Sequence, residues 1–123
     1  EKGAEGFIAV EERVNCIIEA ENCVIATGGS VIYGDKAMAH LKSIGTVVYL
    51  RIALEELEKR LAGQDIFARG VVMRKKSETL AQLYDERVPL YEKYADITID
   101  CSGLTIEQTV CTVISSLKAD GRL

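Results

Sequence analysis

Helix-like and strand-like segments alternate along this chain of 123 residues. Continuous apolar or β-branched runs predict strands, and apolar residues spaced three or four positions apart predict helices. The predicted strands are residues 23–27, 46–50 and 97–100, and the predicted helices are residues 7–20, 35–43, 54–61 and 105–117. Because alternating strands and helices are joined by crossover connections, we expect an α/β fold with a parallel sheet and right-handed crossovers.

Three of these elements carry further detail. The helix at 7–20 is amphipathic, and an apolar stripe of this kind usually faces a core. Its apolar face is formed by Phe7, Val10, Val14 and Ile17 or Ile18, with Glu11, Glu12 and Arg13 around the other side. The helix at 35–43 has Ala37, Met38 and Leu41 on its apolar side. In the last helix, Thr105 followed by Gln108 resembles a capping box.

A short apolar run that ends in two glycines is the first candidate site. Residues 24–26 are predicted to form a strand buried on both faces, and Gly28 and Gly29 follow it. Two glycines allow a sharp turn and a close approach to the main chain. Ligands of open α/β sheets bind beyond the carboxyl ends of the strands, so a site is expected here. The alternative is a plain turn.

Composition and charge exclude several function classes. A net charge of −4 argues against a nucleic-acid-binding surface. No apolar run approaches the roughly 20 residues that span a membrane, and we recognise no signal peptide. The four cysteines have neither a C-x-x-C pair nor zinc-site spacing, so we expect small buried side chains, no metal ligands and a cytoplasmic protein. His40 is expected at the surface, not as a catalytic base.

A basic segment interrupts this acidic chain at residues 63–76. It contains Arg69, Gly70, Arg74, Lys75 and Lys76. A long loop of this kind within a compact domain is usually functional or disordered. One interpretation is a mobile cationic lid over a phosphate-bearing ligand. The other is a solvated linker.

Arg87 precedes the only proline of the chain, Pro89. A proline interrupts helical hydrogen bonding and restricts the residue before it, so we expect the helix to break here and Arg87 to lie near its end. Arg87 either pairs with Glu86 or Asp85 at the surface or holds a carboxylate through two parallel hydrogen bonds.

Taken in order, these segments resemble the shikimate kinase family of small P-loop kinases. The resemblance extends from about residue 3 to residue 105, most of the chain. It depends on Glu5-Gly6-Phe7 before a helix, Val24 to Gly29, Gly45 to Leu50, the basic lid, Glu86 to Tyr91, and Ala95-Asp96. Each segment is common by itself, and the ordered set is specific.

The resemblance implies roles on the acceptor side of such an enzyme. In the family, glycines after the third strand line the shikimate pocket, and Gly28 and Gly29 match them. The family arginine before Pro-Leu-Tyr holds the carboxylate of shikimate, and Arg87 matches it. A substrate of this kind is a small acid, and the implied pathway is aromatic amino acid biosynthesis.

The resemblance also implies a nucleotide side. Arg69 matches the lid arginine that reaches the ATP phosphates and stabilises charge during phosphoryl transfer. Arg60 matches the arginine that packs beside adenine, and residues 100–103 fall where the family wraps the adenine. ATP and Mg²⁺ are the implied cofactors.

Four departures from the family pattern occur, and those at Ile8 and Ser30 bear on the acceptor. Ile8 stands where the family usually has a second arginine clamp on the carboxylate. Ser30 replaces a third glycine, and Gly70 replaces the proline after the lid arginine. The lid entrance is also about two residues longer. Loss of one charged clamp weakens binding by about 1.5–3 kcal/mol.

The sequence contains no G-x-x-x-x-G-K-[ST] motif, the loop that cradles phosphates and places a hydroxyl on Mg²⁺. We therefore expect residues 1–123 to be a single partial domain, the C-terminal part of a three-layer, parallel-sheet P-loop kinase. Its first two strands, its P-loop and its metal ligands are expected in a preceding part. The parent protein is expected to be a monomer that binds ATP and a small acid, not nucleic acid or membranes.

Two alternatives remain open beside a shikimate kinase. One is a kinase-like module without catalysis that binds or regulates, and the other is a small-metabolite kinase with a different acceptor. In either case we expect the chain by itself to lack kinase activity. We also expect an unpaired strand edge near Ile25, which favours marginal stability or oligomers.

Overall fold

The computed structural model describes residues 3–62 and 79–123. These residues form five α-helices, one 3₁₀ helix and two β-strands. In chain order they are α1 (Gly3–Asn15), the 3₁₀ helix (Gly29–Tyr33), α2 (Asp35–Ile44), β1 (Val48–Arg51), α3 (Leu54–Leu61), α4 (Leu80–Tyr94), β2 (Ile97–Asp100) and α5 (Ile106–Ala119). The whole of the predicted lid, residues 63–76 with Arg69, lies outside the described residues.

The two strands confirm the predicted parallel pairing. β1 and β2 lie side by side in parallel, with Val48 opposite Ile97 and Arg51 opposite Asp100. Asp96 fixes the start of the pair, since its Oδ2 accepts a hydrogen bond of 2.8 Å from the Val47 amide. An α/β fold with a small parallel sheet is therefore present.

The strand predicted at 23–27 is wrong for the described part of the chain. Residues 24–28 have no regular secondary structure. Val24 is 95% exposed, which contradicts a strand buried on both faces. A strand gains its hydrogen bonds from a neighbour, and the two strands that the structure describes pair with each other.

The first helix has its expected period but not its expected orientation. It covers Gly3–Asn15, not residues 7–20. Phe7, Val10 and Val14 are all more than half exposed. The acidic side of α1 instead contacts the 3₁₀ helix and the start of α2, because polar groups there donate hydrogen bonds to its carboxylates. The inward apolar face predicted for this helix is wrong.

The main buried cluster lies between the 3₁₀ helix and α2. Its buried members are Val31, Ile32, Met38 and Leu41, with Val47, Leu90, Tyr91 and Tyr94 packed against them. Ala37, Met38 and Leu41 are all buried, so the predicted apolar side of α2 is confirmed. Tyr91, which packs against this cluster, also donates a hydrogen bond to the carbonyl of Gly29, so the cluster supports the glycine turn.

Pro89 does not break its helix. The α4 helix continues from Leu80 through Pro89 to Tyr94. A proline leaves the carbonyl four residues earlier without its helical donor. That residue is Asp85, which is exposed, so water can hydrate its carbonyl. Because Leu90 and Tyr91 pack on the core beyond the proline, the helix continues, and the predicted helix end near Arg87 is wrong.

The remaining predictions have mixed outcomes. The capping box of Thr105 and Gln108 is confirmed at the start of α5. All four cysteines are free thiols, but Cys23 and Cys111 are exposed, so the expectation of buried cysteines is wrong for them. His40 is partly buried, with Nε2 2.6 Å from the carbonyl oxygen of Ile18. No helix in the described ranges is long and apolar enough to cross a membrane.

Candidate functional site

The glycine turn is a place of close approach, as its sequence suggested. A Cβ atom on Gly29 would lie 2.8 Å from the Tyr91 hydroxyl and 3.1 Å from Nη1 of Arg87. A Cβ atom on Gly28 would lie 3.1 Å from Oε2 of Glu11. Contacts this short require a neighbour to move, so side chains of α1 and α4 occupy the space that these glycines leave. Gly28, Gly29 and Arg87 are thus brought together.

Tyr91 ties the glycine turn to the sheet. Its hydroxyl donates a hydrogen bond of 2.9 Å to the carbonyl of Gly29. Its ring stacks on Tyr49 of β1, with ring centroids 5.1 Å apart. The position of the turn is therefore fixed relative to both α4 and β1.

Arg87 lies in the middle of α4 and is partly buried. Its Nε donates to the Tyr33 hydroxyl at 3.3 Å, and its guanidinium carbon lies 5.4 Å from the centroid of the Tyr33 ring. Burial opposes the positive charge, but the hydrogen bond with Tyr33 and the nearby Tyr91 outweigh it, so the pKa of Arg87 is raised. The guanidinium is a permanent cation held beside Gly29.

Tyr33 connects Arg87 to a carboxylate. The Tyr33 hydroxyl donates a hydrogen bond of 2.7 Å to Oε2 of Glu86. Burial, followed by this hydrogen bond to Glu86, raises the pKa of Tyr33 to about 12. The hydroxyl therefore keeps its proton at neutral pH.

A second carboxylate, Glu11, reaches the turn from α1. Its Oε1 accepts a hydrogen bond of 2.6 Å from the hydroxyl of Ser30, a side chain that is buried. Nothing in the helical period singles out Glu11 or Tyr33, because both act through contacts with residues remote in sequence. The serine at position 30 is the one local signal, since a buried hydroxyl needs a partner.

Arg60 and residues 100–103, the loop that follows the carboxyl end of β2, are linked through Glu56. Arg60 Nη2 lies 2.9 Å from Oε2 of Glu56, and the other oxygen of Glu56 accepts from the Gly103 amide at 2.7 Å. Gly103 has a φ of +77°, which glycine adopts without strain. Glu56 thus links α3 to the loop between β2 and α5.

Polar contacts also shape that loop internally. The Ser102 hydroxyl accepts a hydrogen bond of 2.9 Å from the Ala53 amide. Oδ1 of Asp100 accepts a hydrogen bond of 3.1 Å from the Ser102 amide, and this bond lowers the pKa of Asp100. The first contact therefore holds the loop against the segment before α3, and the second lies within the loop itself.

Two clusters differ in what they can bind: Arg87 with the glycine turn, and Arg60 with the loop at residues 100–103. Arg87 presents a planar set of N–H donors beside the backbone of Gly29, an arrangement that suits a carboxylate or phosphate. Arg60 lies on α3 next to a glycine loop. No cluster of metal-binding side chains occurs within residues 3–62 and 79–123. Arg69, the predicted lid arginine, lies outside those ranges.

Comparison with known proteins gives one consistent result. The sequence model of the family described as shikimate kinase matches residues 1–118. The chain is 33% identical over 107 residues to a shikimate kinase of Clostridium botulinum, covering 87% of this chain and 61% of that protein. It is 34% identical over 111 residues to a shikimate kinase of Francisella tularensis subsp. novicida, covering 89% of this chain and 62% of that protein. No solved structure gives a significant match.

The chain thus spans about three fifths of the length of these curated relatives.

Proposed function

The chain belongs to the shikimate kinase family, and from this membership we propose that its protein transfers the γ-phosphate of ATP to a hydroxyl of shikimate or a similar small acid. In that reaction the acceptor hydroxyl oxygen bonds to the γ-phosphorus, and the bond between that phosphorus and the oxygen of the β-phosphate breaks. ADP leaves, and the hydroxyl proton is released to solvent. The α/β fold with its small parallel sheet is consistent with part of a P-loop kinase.

The meeting of Arg87 with the glycine turn is the observation that supports this proposal most. Nη1 of Arg87 points at the place where Gly29 has no side chain. A carboxylate that enters beside Gly29 would accept two parallel hydrogen bonds from the guanidinium. With Ile8 in place of a second arginine, Arg87 becomes the main ligand of the acceptor carboxylate in this proposal.

The nucleotide side of the proposal depends on Arg60, Arg69 and the loop at 100–103. Arg60 would pack beside the adenine, and the loop would cover the base from β2. Arg69 would reach the phosphates and stabilise charge that develops during transfer, as arginine fingers do. ATP and Mg²⁺ are the proposed cofactors, and their phosphate-binding loop would come from outside this sequence.

The setting of the protein is part of the same proposal. We expect a cytoplasmic monomer whose partners are ATP and a small acid, with no role in binding nucleic acid or membranes. Its biological role would be a step in aromatic amino acid biosynthesis.

Binding of shikimate to the chain tests the acceptor side. Isothermal calorimetry should show shikimate binding, and the carboxamide analogue, which lacks the negative charge, should bind at least about tenfold more weakly. Arg87→Ala should weaken shikimate binding about 10- to 100-fold and should abolish the preference for the acid over the amide.

Arg13→Ala is the matched control, because it removes an exposed arginine of α1 and the same unit of charge. It should leave both affinities unchanged. Equal binding of shikimate and its carboxamide by the unsubstituted chain would contradict the proposed function.

A kinase-like binding module without catalysis is the second candidate, and the absence of G-x-x-x-x-G-K-[ST] from the sequence favours it. The coding sequence before residue 1 distinguishes the two. A glycine-rich strand-to-helix turn that ends in Gly-Lys-Ser or Gly-Lys-Thr supports the kinase, and an intact gene without one supports the module.

A further inference from the structure

We propose that Tyr33 and Glu86 are positioning residues that orient Arg87 for a single-arginine grip on the acceptor carboxylate. This inference depends on the proposed function, since it assigns the preference for an acidic acceptor to a network around Arg87. Neither side chain is proposed to touch the acceptor.

The three side chains form a directed chain of hydrogen bonds. Arg87 Nε–H donates to the Tyr33 oxygen at 3.3 Å, and Tyr33 O–H donates to Glu86 at 2.7 Å. A hydroxyl has one proton, so its donation to Glu86 leaves its lone pairs for the Arg87 donor. Glu86 therefore fixes the direction of the Tyr33 hydroxyl, and the hydroxyl in turn fixes one edge of the guanidinium.

A second contact fixes the plane of the guanidinium. The Arg87 guanidinium carbon lies 5.4 Å from the centroid of the Tyr33 ring, within the range of a cation–π contact. Tyr33 is partly buried at the end of the 3₁₀ helix, and the neighbouring Ile32 is buried in the core. The buried Ile32 therefore anchors the backbone from which the Tyr33 ring extends.

These contacts leave a defined edge of the guanidinium toward the glycine turn. Nη1 lies 3.1 Å from the position of a Cβ on Gly29. The Nε edge is engaged by Tyr33, and Nη1 lies on the side of the guanidinium that is next to Gly29. A carboxylate that enters there meets donors already in place.

Fixing Arg87 in advance matters most when it acts alone. Ordering a long side chain on binding costs conformational entropy, and a preorganised side chain avoids that cost. Ile8 supplies no charge or donor on the α1 side of the site. The Tyr33–Glu86 pair thus compensates for the absent second clamp by holding the remaining arginine still.

Three variants of the full chain test the network. Tyr33→Phe keeps the ring and removes the hydroxyl, Glu86→Gln keeps an acceptor and removes the charge, and Glu86→Ala removes both. Tyr84→Phe is the matched control, because it also removes a tyrosine hydroxyl. The hydroxyl of Tyr84, on α4, donates to the Ile52 carbonyl at 2.8 Å. The readouts are calorimetric binding of shikimate and its carboxamide, and hydrogen exchange of the Arg87 Nε–H by ¹⁵N NMR.

Tyr33→Phe and Glu86→Ala should each weaken shikimate binding about three- to tenfold, as expected for loss of one hydrogen bond to a charged group, and leave carboxamide binding unchanged. Both should accelerate exchange of the Arg87 Nε–H. Glu86→Gln should have a smaller effect, and Tyr84→Phe should change neither readout. A purely structural role would instead weaken both ligands together.

Two outcomes would overturn the inference. One is an unchanged acid-to-amide preference in Tyr33→Phe while Arg87→Ala abolishes it, which leaves the proposed function intact. The other is unchanged Nε–H exchange in both Tyr33→Phe and Glu86→Ala, which needs no ligand. If the unsubstituted chain shows no acid preference, the proposed function fails instead. Should Tyr33→Phe not fold, Glu86→Gln and Glu86→Ala give the same readouts.

Discussion

Two regions of this molecule relate to solvent in opposite ways. The 3₁₀ helix, α2 and α4 form the region that we propose to bind the acceptor, here called the acceptor side. In it, apolar side chains form the buried cluster and polar side chains have hydrogen-bond partners. On the open face, which consists of the outward side of α1 with residues 23–28, large apolar side chains are exposed. They are Phe7, Val10, Val14, Val24 and Ile25.

The two regions differ in whether the described part of the chain covers their apolar side chains. Every element of the acceptor side finds its neighbour within the described part of the chain, and the result is a supported turn at Gly29. The open face has the composition of an interior and the exposure of a surface. Exposed apolar patches of this kind are docking or aggregation surfaces. The turn at Gly29 is therefore organised although the neighbouring open face is not covered by the described residues.

Kinase turnover is the measurement with the largest expected effect. The chain contains acceptor-side residues but no phosphate-binding loop, so it should bind shikimate without phosphorylating it. Coupled detection of ADP release should show turnover at least about 10³-fold below the roughly 1–100 s⁻¹ of kinases. Turnover within that range would show that the chain phosphorylates shikimate without this loop, which would contradict the expectation.

Truncation of one side chain in each region is the next test. Met38→Ala removes a side chain that is 3% exposed and should lower the free energy of unfolding by about 2–5 kcal/mol. Val14→Ala, on the open face, should change it by less than about 0.5 kcal/mol. Urea unfolding followed by circular dichroism measures both. Similar losses for the two variants would place Val14 in a core and remove the distinction.

Elements whose signals are local were predictable from the sequence. The strands β1 and β2 consist of runs rich in β-branched residues. The apolar spacing of α2 matches the residues that it buries, and Thr105 with Gln108 marks the start of α5. These features need no knowledge of distant residues. The predicted site residues Gly28, Gly29 and Arg87 come from local sequence features and a family pattern, and the structure places Arg87 beside Gly29. Their role in binding stays a prediction.

Features that depend on distant contacts were not predictable. The helical period shows that α1 has two faces, but the contacts of Glu11 with Ser30 and of Glu12 with the Lys36 amide decide which face turns inward. The helix through Pro89 continues because of packing on Leu90 and Tyr91. The Tyr33–Glu86 hydrogen bond joins segments far apart in the chain, so no spacing rule indicates it.

Substitution of Asp96, which contacts α2, is expected to have a smaller, pH-dependent effect on thermal stability. Its carboxylate accepts from the Val47 amide and pairs with Lys42 of α2 at 3.1 Å. The hydrogen bond from the Val47 amide, with a further contribution from Lys42, lowers the pKa of Asp96.

A carboxyl whose pKa is lower in the folded state contributes stability above its unfolded value of about 3.9, and this is lost as the pH falls through the folded pKa. Asp96→Asn should therefore lower the Tm at pH 6 and have less effect at pH 2.5. Glu58→Gln, which changes an exposed carboxylate of α3, is the control and should show no such convergence. A constant difference between Asp96→Asn and the unsubstituted chain at all pH values would contradict the assignment.

The smallest change in stability is expected on the open face itself, where association is the informative readout. Replacing Val10 and Val14 by Lys and Gln puts better helix formers at exposed positions, so the free energy of unfolding should change by less than about 0.5 kcal/mol. If the open face drives self-association, sedimentation velocity should show the unsubstituted chain as oligomers and the double variant shifted toward monomer.

Glu11→Ala, on the inward side of the same helix, is the control. It leaves the buried Ser30 hydroxyl without this acceptor, so it should lower the free energy of unfolding by about 1–3 kcal/mol, and it should not shift association toward monomer. A stable monomer before substitution would mean that the apolar side of α1 needs no partner, and a large loss of stability in the double variant would mean that it already has one.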